Sequence, residues 1–200
     1  MISAVIPCYN DQPRLDRLLK NLANQTRRLD EIVVVDDGSK KPIVVDAPVR
    51  VVRIKNAGPG VARNVGVANT TGEHVFLCDA DVEVLPTTIE VLEKAIGEAT
   101  VAYSEFIWDE GLFAFGPYSY EKLLASNSIP AIALVKREHL LEFRNGLYED
   151  WDLWLRMLNP LKYPGRTAVH VPRVLFRTIG RRRSANTMLA RGTPEGVVLS

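Results

Sequence analysis

Along the first hundred positions, short apolar blocks alternate with amphipathic stretches. Residues 2–7, 31–36, 49–54 and 74–78 each form a nearly continuous apolar run and predict four strands. Runs of this kind mark parallel strands buried on both faces. After the first, Leu15, Leu18, Leu19 and Leu22 recur at i, i+3, i+4 and i+7, which predicts a surface helix. Asn10 or Asp11 is its expected cap, with Pro13 in the first turn. Gly58 to Asn69 predicts a second helix with Val61, Val65 and Ala68 facing inward, and Pro86 opens a third carrying Ile89, Leu92 and Ile96. The resulting β-α-β-(α)-β-α-β order predicts an α/β fold with a doubly wound, mainly parallel twisted sheet flanked by helices.

After about residue 100 the pattern changes. Val101 to Trp108 and Ala131 to Val135 predict strands, and Asp150 to Leu158 predicts a helix from the spacing of Trp151, Trp154, Leu155 and Leu158. Gly111 to Tyr120 is aromatic and without clear period. From Arg173 onward the chain is arginine-rich, with Arg177, Arg181, Arg182, Arg183 and Arg191 against a single acid, Glu195. No repeat or low-complexity linker divides the chain, so one domain is expected.

Composition narrows the classes. With 200 residues, 46% hydrophobic and 24% charged, the chain has ordinary globular character and length enough for a full core. A net charge of +1 argues neither for nor against nucleic acid, and no nucleic-acid partner is expected. No apolar run reaches the roughly 18 residues of a membrane span. The N-terminus lacks a basic leader and already reads as a strand, so a cytoplasmic location is expected. Cys8 and Cys78 both close apolar strands that could be neighbours, and read as buried free thiols.

Chemistry concentrates where strands end. Ile32-Val33-Val34-Val35 runs into Asp36-Asp37-Gly38-Ser39, and Val75-Phe76-Leu77-Cys78 runs into Asp79-Ala80-Asp81. In open α/β sheets ligands bind outside the carboxyl ends of the strands, so both acidic clusters are expected on one rim. Uncompensated carboxylates repel, which implies a cation or a hydrogen-bonding ligand. Asp79 and Asp81, two apart in an extended segment, could face one Mg²⁺ or Mn²⁺. Asp36 to Ser39 also reads as a plain β-turn. Asn56 to Asn64 is a glycine-containing loop leading into a helix, but Arg63 stands where a dinucleotide fingerprint has its third glycine. Arg63 could instead pair with Asp36 or Asp37 while holding a base or phosphate. Glu149-Asp150 opens a helix, either as an acidic cap or as chemistry. His74, His139 and His170 are dispersed, which speaks against zinc, and no Gly-x-Ser-x-Gly motif supports acyl transfer.

Five segments carry a resemblance: Ala4-Val5-Ile6-Pro7-Cys8-Tyr9-Asn10, Val34-Val35-Asp36-Asp37-Gly38-Ser39, Asn56 through Asn64, Asp79-Ala80-Asp81, and Tyr148-Glu149-Asp150-Trp151-Asp152-Leu153-Trp154-Leu155-Arg156. In this order they resemble the motifs of family-2 inverting glycosyltransferases with the GT-A fold, over about residues 2–178. The resemblance implies a UDP- or GDP-sugar donor, a glycan, protein or small-molecule acceptor, and Mn²⁺ or Mg²⁺. It implies Tyr9 against the donor base, with Pro7 and Cys8 lining it by backbone. Asp37, next to Asp36, would hydrogen-bond the base, and Arg63 would support that pocket. Asp79 would sit near the ribose or a metal-bound water, Asp81 would bind the metal, and Ala80 would line the site between them. Asp150 would be the general base, with Glu149 as the fallback. The chain would then divide into a nucleotide-binding half (1–100), an acceptor-side half (101–178) and a basic tail (179–200).

Two positions depart from that pattern. Relatives often carry a late histidine where Phe176-Arg177-Thr178 leads to Ile179. The Gln-x-x-Arg-Trp motif of processive synthases is also missing, so polymer extrusion is not expected. Two other readings stand beside transfer: a catalytically inactive nucleotide-sugar-binding module, and a nucleotidylyltransferase. The latter needs a glycine-rich basic loop after the first strand, and Asn10-Asp11-Gln12-Pro13 is not one. Trp108, Phe113, Phe115, Tyr118 and Tyr120 read equally as an acceptor platform or as core.

Overall fold

A computed structural model describes residues 1–46 and 48–178. In chain order its main elements are β1 (Ile2–Cys8), α1 (Gln12–Ala23), β2 (Glu31–Asp37), β3 (Arg50–Ile54), α2 (Pro59–Ala68), β4 (His74–Leu77), β5 (Val82–Val84), α3 (Thr88–Ile96), β6 (Val101–Trp108), β7 (Gly111–Phe113), α4 (Tyr120–Ala125), β8 (Ala133–Lys136), α5 (Glu149–Met157) and β9 (Ala168–Thr178). The four early apolar runs form a parallel block in the order β3-β2-β1-β4. Val5 on β1 lies opposite Val33 on one side and Leu77 on the other, and all three are fully buried. Parallel strands with a common direction bring Cys8, Asp37 and Leu77 toward the same edge. The two acidic clusters therefore reach one rim, as the sequence predicts.

Beyond β4 the sheet becomes mixed. β8 is antiparallel to both β4 and β6, β9 runs parallel to β6, and β5 and β7 add antiparallel partners at β9 and β6. The pairing of β6 with β9 slips at Ser104 and Glu105, a bulge that breaks strict alternation. Pro172, Arg173 and Arg177 also interrupt the apolar pattern of β9. Neither β5, β7, β9 nor α4 is evident from periodicity, and the sequence reading lacks all four.

Alternation along β1 sorts the core into two faces. Ile2, Ala4 and Ile6 pack with Leu15, Leu18 and Leu22 of α1 and with Ile89 and Leu92 of α3. Val5 points the other way, into a cluster with Leu123 of α4 and Leu153, Trp154 and Met157 of α5. Asp11 occupies the cap position of α1 but makes no cap hydrogen bond; its carboxylate instead pairs with Arg14 at 3.1 Å.

The inward face of α2 differs from expectation. Val61 and Val65 are only half-buried and Ala68 is exposed, whereas Gly60, Ala62, Arg63 and Gly66 are buried. The cause is proximity: a Cβ built on Gly66 would lie 2.3 Å from Cγ1 of Val5. The helix sits too close to the sheet for anything larger, so small residues face β1 and the valines are displaced to the flank. Cys8 and Cys78 are buried thiols, as predicted, and no disulfide joins them. Among the described residues no helix is long and apolar enough to cross a membrane. Ile179, Gly180 and the arginines of 181–191 lie outside the described residues.

Candidate functional site

At the end of β2 two buried carboxylates do different work. Asp36 accepts from the Ser39 amide at 2.9 Å, the Ile43 amide at 3.2 Å and Arg53 Nη1 at 3.0 Å. Burial pushes its pKa up, but the bonds from Ser39 and Ile43, with the nearby Arg53 charge, outweigh that and hold it below the usual carboxylate value. Asp36 thus ties down the 38–43 turn. Asp37 accepts from the amides of Ala57 and Gly58 at 2.8 and 3.0 Å, and from Asn56 Nδ2 at 3.3 Å. Gly38, at φ +73°, lies so close to Asn56 that a Cβ would meet its amide at 2.6 Å. This carboxylate and glycine press the 56–58 loop onto the rim and fix the start of α2.

Arg63 does not pair with Asp36 or Asp37. It is 4% exposed and reaches the other way, with Nη2 2.6 Å from Asp79 Oδ1 and Nη1 2.8 Å from Glu149 Oε1. Burial acts to lower its pKa, but the two carboxylates override this and keep the guanidinium charged. Its Nε is buried without a hydrogen-bond partner, and the guanidinium lies 5.3 Å from the centre of the Phe143 ring. Asn64, the next residue, exchanges two bonds with the backbone of Phe143, donating to its oxygen at 2.9 Å and accepting from its amide at 2.8 Å. Helix α2 is thereby fastened both to the end of β4 and to the segment entering α5.

Beside this bridge stand the remaining carboxylates. Asp81 has its pKa raised, first by burial and then by the neighbouring Asp79, while a bond from its own backbone and the more distant Arg14 draw it down. It makes no ion pair among the described residues, which is the environment of a carboxylate suited to a cation. Asp79 and Asp81 supply hard oxygen donors fit for Mg²⁺ or Mn²⁺. No cluster of three or more His, Cys, Asp or Glu side chains is gathered among the described residues, so phosphate and water would complete any such shell. On α5, burial also raises the pKa of Asp150, against the effect of bonds from Asn127 Nδ2 at 3.1 Å and the Trp151 amide at 2.9 Å. Tyr148, just before, has a left-handed backbone at φ +59° that lets the chain turn sharply into the helix.

The other expected residues divide. Tyr9 stands 46% exposed at the end of β1, above the half-buried Pro7 and buried Cys8, and the intervening Ala80 is buried. Of the aromatic set, Phe115 stacks on Phe106 and lies edge-on to Tyr103; Tyr118 is partly buried, its pKa pushed up to about 12 chiefly by burial; and Tyr120 donates to the Leu155 oxygen at 3.1 Å. Phe113 is exposed, stacked on Phe106 with centroids 5.0 Å apart and close to Trp108. Asn127, Phe143 and Arg53 were not legible beforehand. Each touches a chemistry-bearing residue across a large sequence separation, which leaves no local pattern. A cleft of about 1420 Å³ lies between α1 and residues 40–46, 48 and 49 rather than over the carboxylates. A smaller one of about 300 Å³ runs between Ala57–Gly60 and Arg144–Gly146 and has Glu149 on its wall.

The pattern for glycosyl transferase family 2 matches residues 3–146. The uncharacterized glycosyltransferase YwdF of Bacillus subtilis is 29% identical over 181 residues, covering 78% of this chain and 67% of its own length. An uncharacterized glycosyltransferase of Haemophilus influenzae is 30% identical, with 79% and 62% covered. The glycosyltransferase GlyA of Streptococcus pneumoniae is 34% identical over 144 residues, covering 64% of this chain and 21% of its own length. The chain thus spans about a fifth to two thirds of these relatives. Among solved structures, residues 1–349 of S. aureus TarS superpose with a TM-score of 0.69 at 21% identity, over 88% of this chain and 60% of that one. Glucosyl-3-phosphoglycerate synthase from Mycobacterium tuberculosis, in complex with Mn²⁺, UDP and glucosyl-3-phosphoglycerate, gives 0.66 at 19% identity, over 95% and 75%. These neighbours share the GT-A fold.

Proposed function

The chain belongs to glycosyl transferase family 2, and from that premise we propose that it transfers a sugar from a nucleoside-diphosphate donor to an acceptor hydroxyl, with inversion at the anomeric carbon. The observation that carries this reading is the meeting of the β4 acids and the α5 acids on one rim, joined through Arg63. Asp79 and Asp81 would hold the donor side and its divalent cation. When bound, that cation supplies neutralisation of the charge that develops on the departing diphosphate. Tyr9 offers an exposed ring for the base, over the Pro7–Cys8 backbone, and Asp37 with the 56–58 loop closes that pocket.

Asp150 is the group proposed to take the acceptor proton. Its raised pKa fits a base whose conjugate acid must form during the reaction, and Glu149 is already spent on Arg63. Uridine is the proposed base, because TarS and glucosyl-3-phosphoglycerate synthase were solved with UDP, the latter with Mn²⁺ or Mg²⁺. The acceptor class stays open among glycan, protein and small molecule. The test is a panel of nucleotide sugars scored for turnover and thermal shift, with Mn²⁺ and with EDTA. Turnover and a cation-dependent shift with one UDP-sugar support the reading. A shift without turnover for any donor and acceptor would favour the inactive binding module. Release of diphosphate from a nucleoside triphosphate and a sugar phosphate would favour the nucleotidylyltransferase.

A further inference from the structure

We infer that Arg63 is a positioning residue that decides which of two adjacent acids on α5 stays free, by fastening Glu149 to Asp79 and leaving Asp150 open to the acceptor. This rests on the reading of Asp150 given above. The three bridged groups come from separate segments, α2, the end of β4 and α5, with sequence separations of 16 and 86 from Arg63. Successive residues on a helix project about 100° apart, so Glu149 and Asp150 cannot both face one partner. With Glu149 turned to the guanidinium, Asp150 turns away from it toward Asn127.

The surroundings make the choice rigid. The Glu149 and Arg63 side chains are 17% and 4% exposed, so losing Arg63 would leave Glu149 as a buried, uncompensated charge. Phe143 covers the guanidinium, and Asn64 holds Phe143 by two backbone bonds, so the residue beside Arg63 fixes the approach to α5. The charged groups acting on Asp150 are Glu149 from its own helix and Arg63 from α2; its contact from the α4–β8 connection, Asn127, is neutral. A planar guanidinium can address two carboxylates at once through separate nitrogens, which an ammonium does less well.

The test is a cycle of Arg63→Met, Glu149→Gln and the double variant, read by transfer kinetics and by thermal melting. If Arg63 acts through Glu149, Arg63→Met should lower kcat by about 10²-fold with donor KM changed less than about threefold, and should lower the melting temperature. Neutralising Glu149 in the same chain removes the more buried of the two carboxylates that Arg63→Met strands, Asp79 being 33% exposed against 17%, so the double variant should recover kcat to within about tenfold of wild type and regain most of the melting temperature. Arg63→Lys should be intermediate. A double variant as slow as Arg63→Met, with donor KM raised in both, would overturn the inference and place Arg63 on the donor itself. Absence of any transfer by wild type is visible before the variants are compared and strikes the functional reading. In that event the melting cycle decides alone: additive losses from Arg63→Met and Glu149→Gln would overturn the bridge, and recovery in the double variant would sustain it.

Discussion

Arg63 and Glu149, 86 residues apart in the chain, meet through an Nη1–Oε1 contact of 2.8 Å with side chains only 4% and 17% exposed. The contact joins the nucleotide-side helix α2 to the first turn of α5, and the other arm of the guanidinium reaches Asp79. Donor-side and acceptor-side acids are thereby placed relative to one another by a single side chain.

Asp81 lies beside Asp79 with no ion pair among the described residues, and burial and repulsion raise its pKa. Asp81→Asn should leave the ligand-free protein no less stable than wild type, because it removes an unfavourable buried charge. It should also abolish the Mn²⁺-dependent thermal shift by UDP. For wild type at a hundredfold excess over Kd that shift corresponds to about 2.7 kcal/mol. Calorimetry with and without Mn²⁺ reads both effects.

Asp36 works in the opposite sense. Its folded pKa is held below the ordinary value of 3.8, so its ionised form favours folding. That contribution is present above the unfolded pKa and is lost as pH falls through the lower, folded value. Asp36→Asn places an amide against backbone donors and should cost about 1–3 kcal/mol at neutral pH. Urea unfolding of both proteins should show the difference shrinking below about pH 4.

Gly66→Ala should destabilise by about 1–3 kcal/mol, since its Cβ would overlap Val5 Cγ1. Combining it with Val5→Ala should recover part of that loss, because one cavity and one overfilled contact then offset each other. Chemical denaturation of the four proteins measures the coupling, and additive losses would show that α2 can shift away from the sheet.

The sequence discloses the parts of this fold that obey a simple period. β1 to β4 are legible because strands buried on both faces read as unbroken apolar runs. The two acidic clusters are legible because each follows such a run directly. β9 is not, since Pro172, Arg173 and Arg177 and a bulge opposite Ser104 and Glu105 scatter its apolar residues. The buried face of α2 is misread because hydrophobicity follows side-chain size, whereas contact at Gly66 depends on having none. The partners of Arg63 are misread for a related reason. Charge attraction to Asp36 or Asp37 is plausible from proximity in the chain, but Asp37 is satisfied by backbone amides and Asp36 by Arg53. Asn127 has no signature of any kind before the fold brings it to Asp150.

The most direct test of the proposed site is transfer by Asp150→Asn measured beside its UDP affinity. Asparagine keeps the shape and the bond to Asn127 but cannot accept the acceptor proton. The account predicts a fall in kcat of about 10²–10⁴-fold with UDP binding unchanged, and a much smaller fall for Glu149→Gln. An active Asp150→Asn alongside an inactive Glu149→Gln would contradict it and assign the proton to the carboxylate that Arg63 holds.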